Sequence, residues 1–302
     1  MHATQPKRKR VKSSGADLVF DIFTYVIAIL ILIIIIYPLF FIIIASFSNP
    51  TAVVNGRVWF WPEGFTLEGY QALLEAPQLW VGYKNTILYT LVGTLVGLAF
   101  NIPAAYALSR KDLYGRRVIN IFFLIVMFFS GGLIPTFLVV QRLGLYNTFW
   151  VMVLPFSISI FNIIVARTFF ETSIPGDLLD AAQVDGCNNL RFFFQIVLPL
   201  SKAIIAVIAL WTAIHHWNSF FNALIYLRDE SRQPLQLILR NILITNLRMF
   251  AVTTGEAALE AVRKANLLRY TSIIVATLPI LCFYPFIQKY FNQGVMIGAV
   301  KG

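Results

Sequence analysis

Between two strongly apolar blocks the chain carries a polar stretch, IPGDLLDAAQVDGCNNLRFFFQIVLPLS (174–201), whose residue types are spaced as a docking lever would need them. An acid-Ala-Ala triplet (Asp180, Ala181, Ala182) is followed by three residues, Gly186, nine residues, and then Ile196-x-Leu198-Pro199. A carboxylate at Asp180 can meet an arginine or backbone N–H donors, and alanines let a partner's groove approach closely. Gly186 supplies a turn, and Pro199 links the stretch to the next apolar block. A second set follows within that block: Trp211, His215, His216, Trp217, Asn218 and Asn222. Their rings could stack on the apolar faces of a hydroxyl-rich solute while Asn and His bond its hydroxyls. Contact between helices, or anchoring of Trp at a membrane interface, would explain the same residues equally well.

The elements that position these groups follow from composition. The chain is 58% hydrophobic and only 13% charged, far from the roughly 25% charged expected of a soluble domain. Charge-free intervals mark membrane spans, because a charge at mid-bilayer costs about 2.5–3.5 kcal/mol or more. Six intervals reach the roughly 20 apolar residues that a spanning helix needs, which predicts an all-α membrane protein. The spans are expected near 18–47, 85–109, 118–141, 147–169, 201–227 and 270–289. The first apolar run is too long for a cleaved signal peptide and stays as helix one.

Lys and Arg set the orientation. The basic terminus (1–17, with Lys7, Arg8, Lys9, Arg10 and Lys12) and the loop Arg110–Arg117 should face the cytoplasm. With six spans the C-terminal tail, 290–302, faces the same side. The polar loop 174–200 then lies in the cytoplasm between helices four and five. This topology places fourteen Lys and Arg inside and ten outside, seven of the ten within Arg228–Arg269. The KRKRVK cluster is better read as an orientation signal that favours anionic lipid than as a nucleic-acid patch.

Within the polar loop, Asp177 and Asp180 suit the positive end of a short helix beginning near Pro175. Gly186 ends that helix, and Asn188–Asn189 begin a second running to Pro199. Leu178, Ala181 and Ala182 fall at helical spacing, predicting a small apolar patch for a partner. A helix pair lying at the interface without a partner is the alternative. Glu256-Ala257-Ala258 repeats the triplet by chance, without the following glycine.

Several chemistries are set aside. The acidic residues lie outside the charge-free intervals, and His215 and His216 are the only titratable groups deep in a span, which disfavours proton coupling. Sodium coupling through backbone carbonyls stays open. No G-x-x-x-x-G-K-[ST] loop occurs, so energy from ATP would have to come from another polypeptide. The His pair has no carboxylate or nucleophile beside it to make an intramembrane enzyme. Cys187 and Cys282 fall in different compartments, and no metal-ligand spacing is present.

On these residues the chain resembles the permease subunits of binding-protein-dependent ABC importers, in particular the maltose-permease-like carbohydrate group. Besides the acid-Ala-Ala-Gly loop, the resemblance is carried by Asn49-Pro50, by NTILYTLVGTLVGLAFNIPAAYALSR in helix two and by the ending YPFIQKYFNQGVMIGAVKG. Asp180 stands where that family usually has Glu, keeping the carboxylate one methylene nearer the backbone. The resemblance implies a transport domain over 18–302 in a bacterial cell membrane. It further implies a second homologous permease, two ATPase subunits that bind ATP and Mg, and an external substrate-binding protein. Asp180, Ala181, Ala182, Gly186, Ile196, Leu198 and Pro199 would then couple the spans to the ATPases, with no cofactor bound by this chain.

The glycines at 294, 298 and 302 predict an extended tail, reaching the ATPase interface by the same resemblance. The segments 49–84 and 228–269 are the expected docking surfaces for the binding protein. The resemblance implies a carbohydrate substrate, an oligosaccharide with uronate-containing ones among the candidates. A facilitator or channel working without ATP is the alternative, and it leaves the polar loop without a task.

Overall fold

The computed structural model describes residues 15–252 and 256–299, all of whose regular structure is helical. The basic cluster Lys7–Lys12 and the tail end at 300–302 lie outside the described residues.

Helix α1 (Gly15–Ser46) begins with Asp17 inside its first turn and exposes its apolar body, Leu18 to Ile36, on every side. Only its last turn is buried, where Ile44 joins Ala52 and Val58. Asn49 caps α2 (Pro50–Val54), its Oδ1 accepting from the Thr51 N–H at 2.9 Å, with Pro50 in the first helical turn. Helix α3 (Glu68–Leu74) follows.

The centre of the molecule is α4 (Pro77–Ser109), about 50 Å long at 1.5 Å per residue. It starts eight residues before the expected span, again with Pro in its first turn. Leu79, Gly82, Thr86, Tyr89, Gly93, Gly97, Asn101, Ala105 and Leu108 recur at three- and four-residue spacing as one buried stripe. Against that stripe pack α7 (Phe149–Ser157), α8 (Ile160–Ser173), α12 (Lys202–Trp217) and α14 (Leu235–Val252).

Several expected spans are interrupted. The interval 118–141 is divided into α5 (Arg116–Phe128) and α6 (Leu133–Arg142), between which the chain bends by 113° across a break ending at Gly132, φ +85°. The interval 147–169 is divided into α7 and α8, bent by 44°. The interval 201–227 stops at Trp217 and resumes as α13 (Phe220–Tyr226). Charge counts cannot detect these breaks, because glycine, serine and proline interrupt a helix without adding charge. Among the described residues three helices are long and apolar enough to cross a bilayer, and up to six segments are if each bent pair counts as one.

The polar loop forms α9 (Gly176–Val184), α10 (Asn189–Phe192), a π-helical turn (Phe193–Val197) and α11 (Leu198–Leu200). The segment after α13 forms α14 (Leu235–Val252), a helix. Helix α15 (Glu256–Ala299) contains the expected sixth span and continues to Ala299, so the tail is helical up to that point where an extended chain was expected. Glycine lowers helix propensity by only about 1 kcal/mol, too little to end a helix by itself.

Candidate coupling face and solute cleft

Helix α9 is closed by a left-handed turn. Gly186 has φ +73°, its N–H donates to the Gln183 carbonyl at 3.0 Å, and the Cys187 N–H donates to the Ala182 carbonyl at 2.9 Å. This pair of bonds is the Schellman pattern, which a residue with a Cβ fits only under strain. Asn188 then caps the next helix, its Oδ1 accepting from the Arg191 N–H at 2.8 Å. The turn is therefore specified by Gly186 and Asn188 together.

The expected patch of Leu178, Ala181 and Ala182 is divided. Ala182 is 7% exposed and packs in a core cluster with Ile102, Ala105, Phe170, Phe192 and Val197, whereas Ala181, Asp180 and Leu178 face outward. Ala182 thus fastens α9 to α4 and α8. The exposed apolar tip consists instead of Val184, 88% exposed, and Leu190, 72% exposed. Both flank the glycine turn, and the sequence motif does not mark them.

Ile196 and Leu198 are half-buried against the same cluster, and Pro199 is exposed. The Leu198 N–H reaches back five residues to the Phe193 carbonyl, widening the turn just before Pro199. Pro199 has no N–H for the carbonyl four residues back, and the wide turn accommodates that loss. The chain then bends by 82° at Ser201 into α12.

Ion pairs frame the lever. Arg110, just past the end of α4, donates to Asn189 Oδ1 at 3.0 Å and through two nitrogens to Asp112. The hydrogen bond from Arg110 holds the Asp112 carboxyl below its usual range. Arg116 and Arg167 both pair with Glu171, and Arg167 also donates to Asn120 Oδ1 at 2.8 Å, tying α5 to α8.

The second site forms where α7 breaks into α8. Buried Asn101 on α4 spans the break, donating to the Ser157 carbonyl at 3.0 Å and accepting from the Ser159 N–H at 3.0 Å. It thereby replaces helical bonds lost beyond Pro155, as non-helical backbone at membrane depth requires. Ser159 caps α8, its Oγ accepting from the Asn162 N–H at 3.3 Å. Beside the break lies a cleft of about 390 Å³, lined in part by Ser157, Ser159, Asn162, Trp211, Thr212 and His215.

The six candidate pathway residues therefore separate. Trp211 and His215 line the cleft. His216 is fully buried, its Nε2 3.1 Å from Ser157 Oγ and its ring against Gly93, where a Cβ would come within 2.3 Å. Trp217 donates to the Ala276 carbonyl at 3.0 Å, joining α12 to α15. Asn218 ends α12, bonding back to the Ile214 carbonyl at 3.0 Å, and Asn222 sits on α13. Neither lines the cleft. The sequence reading omitted Ser157, Ser159, Asn162 and Asn101; polar side chains within otherwise apolar spans were the available signal.

The described residues contain no cluster of three or more His, Cys, Asp or Glu that could hold a metal. A helical bundle with broken apolar segments, carrying a polar helix pair on its rim, is the build of a membrane transport subunit. The chain belongs to the family of binding-protein-dependent transport system inner membrane components, which it matches over residues 79–297.

Among its relatives, the polygalacturonan/rhamnogalacturonan transport system permease protein YtcP of Bacillus subtilis (strain 168) is 38% identical over 94% of this chain and 98% of its own. Protein LplC of the same organism is 39% identical, over 88% and 90%. Among solved structures, a bacterial ABC transporter involved in the import of the acidic polysaccharide alginate matches with a TM-score of 0.82 and 33% identity. It covers 92% of this chain and 99% of the matched one. The resemblance read from the sequence is thus borne out.

Proposed function

We propose that this chain is the membrane-spanning half of an ATP-driven importer that takes up an oligosaccharide, acidic ones included, handed over by an external binding protein. It works beside a second, homologous permease and two ATPase subunits, which bind the ATP and Mg. Six spans, three of them interrupted, carry it through the bacterial cell membrane with both termini in the cytoplasm. The polygalacturonan/rhamnogalacturonan transport of YtcP and the alginate import of the solved relative support the carbohydrate class.

The observation that carries the reading is the lever. Asp180, Ala181, Val184 and Leu190 are exposed at the tip of a helix pair whose inner side, Ala182 and Phe192, is locked into the core shared with α4, α8 and α12. A partner moving that tip moves the spans, because packed interiors transmit displacement with little compression. Gly186 keeps the tip rigid, while Ile196, Leu198 and Pro199 form its elbow into α12.

The test reconstitutes the chain with its partner permease, ATPases and binding protein in liposomes and measures ATPase stimulation by oligosaccharide. Gly186→Pro, which removes both the positive φ and the N–H bonded to Gln183, and Asp180→Arg should each lose stimulation while still assembling. Passive solute flux with no ATPase dependence would overturn the importer and favour a facilitator.

A further inference from the structure

The loop between α2 and α3 turns back along α1 instead of standing away from it. At its base the Asn49 N–H donates to the Glu63 carbonyl and the Thr66 N–H to the Phe47 carbonyl, both at 2.9 Å, and Arg57 pairs with Glu63 at 3.0 Å. Between the paired charges run Val58-Trp59-Phe60-Trp61-Pro62, none of them charged. Val58 packs with Ile44 and Ala52, and the Phe60 ring meets Tyr37 edge-on with centroids 5.9 Å apart. Tyr37 precedes Ser46, the last residue of α1, by nine residues, about 14 Å of helix. Counting the roughly 20 residues of a hydrocarbon crossing from Ile22, directly after Asp21, ends near Phe41. Tyr37 then lies about 6 Å inside that edge. Yet Trp59, Phe60 and Trp61 are 62%, 60% and 83% exposed. The Trp59 indole N–H donates to the Gly56 carbonyl at 2.8 Å, so its ring can leave water without an unpaired donor.

We infer that this loop is an interfacial anchor whose partner is lipid, in the leaflet at the C-terminal end of α1. In the proposed topology that is the outer leaflet. The Phe60 ring enters the edge of the hydrocarbon beside Tyr37, and Trp59 and Trp61 flank it at headgroup level, where such amphipathic rings are favoured. The loop backbone stays at that level, because water or headgroups must satisfy its polar groups. The Arg57–Glu63 pair marks the water side of the loop. The tip of the segment 49–84 is thereby assigned to lipid, and the rest of that segment is left for the binding protein. A soluble protein cannot follow the tip below the surface of the bilayer. The anchor goes beyond the importer reading and takes from it only which leaflet is met.

A nitroxide is attached at Phe60→Cys and, separately, at Val54→Cys, in an otherwise cysteine-free transporter assembled in nanodiscs of phosphatidylethanolamine and phosphatidylglycerol. Its power saturation is read with oxygen, which partitions into lipid, and with a water-soluble nickel chelate. Position 54, 60% exposed at the end of α2, should respond to nickel. Position 60 should respond to oxygen and lose the nickel response. Trp59→Asp together with Trp61→Asp puts carboxylates, which hydrocarbon rejects, on an exposed surface, so position 60 should regain the nickel response. A nickel response at 60 equal to that at 54 would mean an aqueous loop open to the binding protein. Protection of position 60 from both reagents would mean cover by the partner permease, and an unchanged position 60 in the double variant would mean that the tryptophans hold nothing. Each of these three results would overturn the anchor. Neither nucleotide nor sugar enters the measurement, so if position 60 behaves as expected but ATP-driven uptake is absent, the importer reading fails and the anchor stands.

Discussion

Single side chains decide what the backbone can do at both sites. Asn101 satisfies a carbonyl and an N–H on either side of a broken helix. Asn101→Leu should therefore destabilise the protein by about 2 kcal/mol or more, since each buried group left unpaired costs roughly 1–3 kcal/mol. An unchanged melting temperature in detergent would refute this role. The two alanines of the motif should respond oppositely: Ala182→Glu buries a carboxylate in the core and abolishes folding, whereas Ala181→Glu leaves the melting temperature unchanged and reduces ATP-coupled uptake. Asp112 contributes through its bond to Arg110. Its carboxyl is held low in the folded state, so that contribution is present above the unfolded value and is lost as pH falls through the folded one. Asp112→Asn should flatten the acid side of the stability profile, measured by melting at successive pH values.

At the scale of elements, α4 packs directly against α12 through its glycines. Gly93 and Gly97, four residues apart, form a small-residue seam that admits His216 and Thr212. Gly93→Ala should cost about 1–3 kcal/mol by overpacking, and His216→Ala in the same chain should recover part of it. Additive effects in that double-mutant cycle would contradict direct contact. The seam was printed in the sequence as G-T-L-V-G, but its partner was not, because a glycine pair states that something approaches closely without stating what. The helix breaks were hidden for a related reason. Apolar composition reports tolerance of lipid, whereas the bends at Gly132 and Ser157–Ser159 depend on backbone angles and on polar groups supplied from other helices.

For the whole molecule, the exposed apolar body of α1 and the exposed tip of α9 lie on surfaces this chain does not cover by itself. The proposed orientation can be tested with cysteines introduced in a cysteine-free background. Val184→Cys should react with an impermeant maleimide only in inside-out vesicles, and Trp61→Cys, at a position 83% exposed, only in intact cells. Labelling of both positions from one side would invert or break the topology.

The sequence alone determined the apolar, helical character of the chain and the glycine turn of its polar loop. These follow from local quantities: hydropathy over about 20 residues, a glycine where φ must be positive, a proline without an N–H. Tertiary structure decided which face of each motif is used. Ala182 became an anchor, and Val184 and Leu190 became the tip. His216 and Trp217 joined helices, while Asn162 and Ser159 took the cleft. Helical spacing gives the faces of an isolated helix, but burial depends on the neighbours that arrive from distant parts of the chain, and only packing fixes those.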